Sequence, residues 1–332
     1  MIERIIQGDA LEQLKTLEDN SIDCCVTSPP YYGLRDYGTG EMQIGPEETP
    51  EEFINKLVEV FEEVRRVLKD DGTLWLNIGD SYAGSGKGRN KDGSSRGSIT
   101  GSLLKSGNGE AKPKDLIGIP WMLAFALRSK GWYLRQDIIW HKPNPMPESV
   151  KDRCTKSHEY IFLLSKKPNY YFDYKAIQEE AKWKEDKRAT GERIEYDGKR
   201  AEGKDRKAQK DFCAFSHKNL QYKGQQNHSF HERRAEGMSD ETYIVRNKRD
   251  VWSVTTKAVK EAHFATFPED LIEPCIKAGC PVGGVVLDPF FGSGTTGRVA
   301  TRLQRGYVGI ELNPEYIEIC NKRLNDVQIE MV

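Results

Sequence analysis

The stretch TSPPYY, residues 27–32, directly follows a short apolar run at 22–26 (IDCCV) that is typical of a buried strand. Neither proline can donate to a strand ladder, and a residue before proline is restricted to extended conformations. The chain must therefore turn at Ser28 and leave free carbonyl oxygens at the carboxyl end of a strand, where ligands bind in open α/β sheets. The turn suits a planar group with an amino function, such as a nucleobase. The alternative is a turn whose tyrosines pack in the core.

A second stretch, DPFFGSGTTG at residues 288–297, leaves an apolar run and enters a helical pattern. Its glycines, Gly292, Gly294 and Gly297, match G-x-G-x-x-G, and Glu311 follows about 20 residues later. Glycines permit a tight turn and close ligand approach, and a helix N-terminus attracts a carboxylate or phosphate. Glu311 can accept both hydroxyl groups of a ribose. The pattern favours a site for a nucleoside-bearing cofactor over a purely structural turn.

Short apolar runs alternate with helical patterns on both sides of a charged middle region, which predicts an α/β fold. Thr49 is predicted to cap a helix that begins at Pro50 and is stopped by Gly72. The predicted strands cover 2–6, 22–26, 73–78, 134–140, 158–164, 284–288 and 306–311. Further helices are predicted near Leu11, over 116–130, from Phe267 onward, and over 295–304 and 314–325.

The net charge of −1 conceals an uneven distribution. Residues 81–250 contain 35 Lys and Arg against 23 Asp and Glu, whereas the other residues contain 15 against 28. A basic middle between acidic flanks suggests that the middle contacts a polyanion. A solvated, salt-bridged surface is the alternative.

Targeting and redox features favour a cytoplasmic protein. The sequence has no charged-then-apolar segment at its start and no run of 18 apolar residues, so secretion and membrane spanning are not expected. Seven cysteines without a C-x-x-C pair fit reduced thiols. Cys213, His217, His228 and His231 match no common zinc-site spacing, and no metal is expected.

The two stretches, in this order, resemble those of the amino-group DNA methyltransferases of the beta arrangement. In that arrangement the catalytic stretch precedes a target-recognition region and the cofactor stretch follows it. The resemblance covers nearly the whole chain outside 175–250. It implies a Rossmann-like sheet of the S-adenosylmethionine-dependent methyltransferases, with a circularly permuted motif order and an inserted target-recognition region.

The resemblance also implies roles for individual residues. Ser28 and the Pro29 carbonyl would accept hydrogen bonds from the target amino group, and Tyr31 would stack on an extruded base beside Pro30. Gly79-Asp80 and the loop 141–147 would border the base pocket. The residues implied to bind S-adenosylmethionine are Asp9, Phe267, Pro268, Asp288, Phe290, Gly292, Ser293, Gly294, Thr295 and Glu311.

The sequence leaves more than one candidate for the target base and for the reaction. A serine before the prolines resembles the N4-cytosine enzymes more than the N6-adenine ones, so N4 of cytosine is favoured. Carbon-5 methylation requires a nucleophilic thiol, and the surroundings of Cys24, Cys25 and Cys275 do not suit one. A nicotinamide oxidoreductase is another alternative, but the TSPPYY stretch would have no role in such an enzyme. A DNA-binding protein without activity and a protein or RNA amide methyltransferase are further alternatives.

Three segments follow from this interpretation. Residues 1–174 are predicted to be the catalytic part of the methyltransferase domain, with a flexible basic loop at 83–114. Residues 175–250 are predicted to be the target-recognition region, and 251–332 the cofactor-binding part of the same domain. The expected partners are double-stranded DNA and a possible cognate restriction endonuclease, with the protein a monomer or homodimer. Candidate DNA contacts are Arg233, Arg234, Arg246, Lys248 and Arg249.

Overall fold

A computed structural model describes residues 2–33, 43–83, 111–180, 245–256, 267–325 and 327. The strands are β1 Glu3–Gln7, β2 Ile22–Thr27, β3 Leu68–Ile78, β4 Tyr133–His141, β5 His158–Ser165, β6 Glu179–Glu180, β7 Val245–Arg246, β8 Val251–Ser253, β9 Val285–Asp288 and β10 Gly306–Glu311. The α-helices are α1 Ala10–Leu14, α2 Pro50–Val67, α3 Ile119–Ser129, α4 Glu269–Gly279, α5 Thr295–Arg302 and α6 Pro314–Asn325, and a short 3₁₀ helix covers Lys175–Ile177.

One mixed sheet organises the described chain, in the order β1-β10-β9-β2-β3-β5-β4-β8. Strands β1, β10, β9, β2 and β3 are parallel to one another, whereas β5 runs antiparallel to both β3 and β4. The chain proceeds from β9 to β10 on one side and from β2 to β3 on the other. The carboxyl ends of β9 and β2 therefore flank the topological switch point, where open α/β sheets bind ligands. The predicted α/β fold is confirmed.

Two apolar layers cover the sheet, because successive side chains of a strand point to opposite faces. Cys25 and Leu74 pack into one cluster with the buried residues of α2 and α3. Cys24 and Trp75, each one position away, pack into the other with α4 and α5. Burial on both faces explains why the central strands appear in the sequence as continuous apolar runs.

Helix α2 begins as predicted and ends earlier than predicted. Thr49 and Glu52 form a reciprocal capping box, and Pro50 occupies the first turn. The helix ends at Val67 rather than at Gly72, because Leu68 is extended and pairs with Ile22 of β2. Gly72 lies inside β3, where an added Cβ would be 3.0 Å from the carbonyl oxygen of Lys69. The helix thus ends, and strand β3 begins, about one helical turn before Gly72.

The chain divides into two compact units, Met1–Ile177 with Arg249–Val332, and Gln178–Lys248. Residues 181–244 and most of the loop 83–114 lie outside the described residues. The assignment of 175–250 to target recognition therefore stays a prediction. Among the candidate DNA contacts, Arg233 and Arg234 also lie outside, and the Nε of Arg246 is 3.0 Å from Oε1 of Glu179. No helix within the described ranges is long and apolar enough to cross a membrane.

Candidate active site

The glycine loop after β9 makes a tight turn that only glycine adopts readily. Gly292 and Gly294 have φ angles of 53° and 79°, in the left-handed region that disfavours other residues. Gly297 serves a different purpose, because an added Cβ would be 2.7 Å from Cζ of Phe291. Phe291 is buried against this glycine, whereas Phe290 is only half-buried. The loop therefore anchors one phenylalanine and leaves the other closer to solvent.

Glu311 closes the glycine loop from the end of β10. Its carboxylate accepts hydrogen bonds from the amide nitrogens of Gly292, at 2.7 Å, and Asn313, at 2.8 Å. Burial raises the pKa of Glu311 to about 6. A carboxylate has about four lone-pair sites, so it can still accept from a further donor.

The end of β1 lies beside the same edge. The amide of Gly8 donates to the Glu311 carbonyl oxygen at 3.0 Å, which brings Asp9 next to the loop. The Asp9 carboxylate accepts from the Glu12 amide and caps α1. Two sequence-predicted residues, 302 positions apart in the chain, thus share one end of the sheet.

Ion pairs hold the start of α4 against the glycine loop and its helix. Phe267 and Pro268 precede α4, with Pro268 in the N-cap position. The next residue, Glu269, binds Arg298 and Arg302 of α5, each at 2.9 Å. From α6, Arg323 donates to the carbonyl and hydroxyl oxygens of the buried Ser293. Thr295, also buried, opens α5.

The two tyrosines of the proline turn have different environments. Tyr32 is buried, its ring centroid lies 5.4 Å from that of Phe53, and its hydroxyl donates to the Glu48 carbonyl. The core interpretation of the turn therefore applies to Tyr32. Tyr31 is half-buried, as are Ser28 and Pro30, whereas Pro29 is buried. The residues that stay accessible include the predicted hydrogen-bond acceptor and the predicted stacking ring.

A polar network fixes Tyr31. Its hydroxyl donates to Oε2 of Glu159 at 2.7 Å, and the Lys142 ammonium contacts Oε1 of the same carboxylate. Gly79 permits this placement, because an added Cβ would lie 2.7 Å from Cε2 of Tyr31. Asn77 is nearby, with its amide oxygen 3.4 Å from the Tyr31 hydroxyl. Sequence reasoning did not assign Glu159; its charge at the start of the apolar strand 158–164 is the signal that could have found it.

Asp80 supports a helix as well as bordering the turn. Its carboxylate accepts from the amides of Gly118 and Ile119, at 2.9 and 3.0 Å, and so caps α3 from a distant part of the chain. Its carbonyl accepts from Lys156, whose pKa is lowered by burial.

Asp288 joins the two stretches that the sequence singled out. Its Oδ1 accepts from the Thr27 hydroxyl and its Oδ2 from the Thr296 hydroxyl, both at 2.6 Å. The amide of Phe290 also donates to Oδ1, at 3.1 Å. All three side chains of the link are buried, and burial raises the pKa of Asp288 to about 6. The role of Thr27 was not predicted, since a threonine at a strand end carries no distinguishing pattern.

The thiols near the site do not suit nucleophilic catalysis. Cys24, Cys25 and Cys275 are buried, and burial raises the pKa of the Cys24 and Cys25 thiols well above the usual range. A thiolate is the nucleophilic form of cysteine. No cluster of candidate metal ligands occurs within the described part of the chain; Cys213, His217, His228 and His231 lie outside it.

Sequence comparisons identify close relatives along nearly the whole chain. The family model described as DNA methylase matches residues 22–322. The chain is 45% identical over 320 residues to the type II methyltransferase M.Cfr9I of Citrobacter freundii, covering 96% of this chain and 87% of that protein. It is also 45% identical to the type II methyltransferase M.SmaI of Serratia marcescens, covering 97% and 90%.

Solved structures share the fold. The PvuII DNA methyltransferase, described as cytosine-N4-specific, aligns with a TM-score of 0.61 at 17% identity, over 99% of this chain and 89% of that one. The M1.HpyAVI–SAM complex aligns with a TM-score of 0.51 at 18% identity, over 98% and 100%. At such identities the similarity supports the architecture described above.

Proposed function

Because this chain belongs to the DNA methylase family, we propose that it methylates the exocyclic N4 of cytosine in double-stranded DNA, with S-adenosylmethionine as the methyl donor. The observation that carries the proposal is the junction at the switch point of the sheet. There the turn Ser28-Pro29-Pro30 lies one residue beyond Thr27, whose hydroxyl is 2.6 Å from the carboxylate that begins the glycine loop. A base site beside a nucleoside site is the arrangement that this reaction requires.

The residues around the glycine loop fit the donor chemically. The left-handed glycines let a ligand approach the backbone closely. Glu311 keeps lone pairs for ribose hydroxyls, Asp9 supplies a carboxylate at the neighbouring strand end, and Phe290 offers an apolar surface. When bound, S-adenosylmethionine supplies an electrophilic methyl group. We assign binding of this molecule to the ten residues that the family resemblance implies, from Asp9 to Glu311.

Ser28 and Pro29 activate the target in this proposal. The lone pair of an exocyclic amine is delocalised into the base and is a poor nucleophile. Acceptors at the Ser28 hydroxyl and the Pro29 carbonyl draw the two N–H bonds into place and increase electron density on nitrogen. Positioning and electrostatic stabilisation then supply the acceleration, without a covalent intermediate.

Tyr31 compensates for removing the base from the duplex. A base inside a duplex is out of reach, so it must be flipped out at a cost of a few kcal/mol. Stacking on an aromatic ring returns about 1–3 kcal/mol. Glu159 holds the Tyr31 hydroxyl, so the ring is oriented before a base arrives.

The choice of cytosine rests on Ser28, and N6 of adenine is the alternative. Both target amines would use the same proline turn. Double-stranded DNA is the proposed partner, with a cognate restriction endonuclease as a further one, and the protein is proposed to act in the cytoplasm as a monomer or homodimer.

Nucleoside mass spectrometry tests this proposal. Unmethylated DNA is incubated with the protein and S-adenosylmethionine carrying a deuterated methyl group, then digested to nucleosides. We expect labelled N4-methylcytosine, and none with Ser28→Ala over the same short reaction time. Labelled N6-methyladenine would show that adenine, the alternative, is the target base. Labelled 5-methylcytosine, or no labelled nucleoside, would refute the proposal.

A further inference from the structure

The carboxylate of Asp288 spans the switch point where main-chain pairing ends. The ladder between β2 and β9 stops at Cys25 and Leu287. Beyond this pair the two strands are joined by side chains, with Thr27 from β2 and Thr296 from α5 donating to opposite oxygens of one carboxylate. The Thr296 hydroxyl also lies 3.5 Å from the Val26 carbonyl oxygen.

We infer that Thr27 and Thr296 are positioning residues that act through Asp288 to hold the catalytic turn at a fixed place relative to the cofactor loop. This inference rests on the proposed function. Thr27 directly precedes Ser28, so a displacement of Thr27 moves the hydroxyl that accepts from the target amine. Thr296 lies in the first turn of α5, which follows the glycine loop.

The link is rigid because its three side chains are shielded from solvent. Thr27 and Thr296 are 0% exposed and Asp288 is 1% exposed, so water does not replace a lost hydroxyl. Removing the Thr296 hydroxyl leaves Oδ2 of Asp288 unpaired, which is costly for a buried charged group. Removing the Thr27 hydroxyl leaves Oδ1 with the Phe290 amide of its own loop as donor, so the catalytic turn loses its bond to that loop. The carboxylate therefore keeps both donors at once, and this requirement fixes the distance between the two loops.

A structural threonine in the same sheet provides a control. Thr73 of β3 is also 0% exposed. Its hydroxyl accepts from the Trp75 indole at 3.2 Å and lies 3.6 Å from Sγ of Cys24. Its partners belong to the core and not to the site. Thr73→Val thus removes a buried hydroxyl of the same kind without loosening the link.

The test compares single-turnover methyl transfer at saturating DNA and S-adenosylmethionine, with cofactor affinity measured separately by calorimetry. We expect Thr27→Val to lower the transfer rate by roughly 10- to 100-fold, since small misplacements of reacting groups have effects of this size. Its affinity for S-adenosylmethionine should stay within about 2-fold of wild type, because Thr27 is not itself assigned to the cofactor and Asp288 keeps the Thr296 hydroxyl and the Phe290 amide as donors. Thr27→Ser should recover most of the rate, and Thr73→Val should lower the melting temperature only.

A second variant tests the link from the other side. Thr296→Val should also lower the rate, and the double variant should be little worse than the poorer single one, because the three residues act as a unit. A wild-type rate in Thr27→Val or Thr296→Val, or an equal loss in Thr73→Val, would overturn the inference. Wild-type protein that transfers no methyl group to DNA would instead overturn the proposed function, and the inference with it.

Discussion

At the scale of single residues, the two halves of the site differ in how they use their polar groups. In the glycine loop, backbone amides satisfy Glu311 and hydroxyls satisfy Asp288. In the proline turn, two prolines remove amides and leave carbonyl oxygens free to accept. In the proposed function, the turn thus presents acceptors to an amine and Glu311 presents a carboxylate to ribose hydroxyls.

Ser28→Ala removes one of the two proposed acceptors of the target amine. We expect turnover to fall by roughly 100-fold, the size seen when one transition-state hydrogen bond is removed, with S-adenosylmethionine affinity nearly unchanged. Single-turnover rates and calorimetry measure the two quantities. An unchanged rate would contradict the role of Ser28.

Glu311→Ala removes the proposed ribose acceptor. Charge-assisted hydrogen bonds contribute about 1.5–3 kcal/mol each, so we expect S-adenosylmethionine affinity to fall by at least about 10-fold. Equilibrium dialysis measures the affinity. Glu315→Ala is a matched control, because Glu315 is an exposed glutamate at the start of α6. If wild type and Glu311→Ala bind S-adenosylmethionine with equal affinity, Glu311 does not bind the ribose.

The raised pKa of Asp288 predicts how stability depends on pH. Its pKa is about 6 in the folded protein against an ordinary value of 3.8, so the folded state binds the proton more tightly. The stability gained from protonation is fully present below pH about 4 and is lost as pH rises through about 6. Two pKa units correspond to about 3 kcal/mol.

Asp288→Asn isolates this contribution. The quantity to compare is the difference in the free energy of unfolding, wild type minus variant. This difference should decrease by up to ~3 kcal/mol between pH 4 and pH 7. Urea titrations without cofactor measure it. Differences that stay constant across this range would show that the Asp288 carboxyl is not buried as described.

At the scale of elements, capping fixes where helices start near the site. Thr49 and Glu52 cap α2 reciprocally, and Asp80 caps α3 from another loop.

Thr49→Ala tests the contribution of the α2 cap. We expect the free energy of unfolding to decrease by about 1 kcal/mol, because one amide at the helix start loses its acceptor. Chemical denaturation measures this, and Thr49→Ser should behave as wild type because it keeps the hydroxyl. The methyl-transfer rate should be unaffected. No loss in Thr49→Ala would mean that water replaces the cap.

At the scale of the whole molecule, we expect charge to distinguish DNA binding from cofactor binding. Residues 81–250 carry an excess of 12 positive charges, as 35 Lys and Arg against 23 Asp and Glu. Binding of DNA through phosphates releases counterions, so affinity for DNA should fall linearly with salt concentration on a log–log plot. Affinity for S-adenosylmethionine should change little over the same range.

Charge-neutralising variants sharpen this measurement. Each Lys or Arg that contacts a phosphate should reduce the magnitude of the slope by about 1 when replaced by Ala. Lys151→Ala and Lys15→Ala form a matched pair, since Lys151 lies in the basic middle and Lys15 in an acidic flank. A salt-independent affinity for DNA would contradict the proposed polyanion contact.

Sequence patterns determined the fold class and most of the elements. The positions of the central strands agree with the structure, apart from the earlier start of β3 at Leu68, because strands buried on both faces have continuous apolar runs bounded by turn residues. The order of TSPPYY and DPFFGSGTTG, with a basic region between them, indicated the family that the comparisons confirm. Ser28 and Glu311 could be predicted as site residues because proline pairs and glycine motifs impose local backbone geometry, and their roles stay predictions.

Only the tertiary structure decided which residues meet. Tyr31 and Tyr32 are adjacent and chemically alike, yet Tyr31 is half-buried and donates to Glu159 whereas Tyr32 lies in the core. Helix α2 ends at Val67 because a strand pairs with Leu68. Thr27 and Asp288, separated by 261 positions, come together because the sheet places β2 beside β9. Local patterns fix local conformation, whereas contacts between distant residues depend on strand order, which no short stretch encodes.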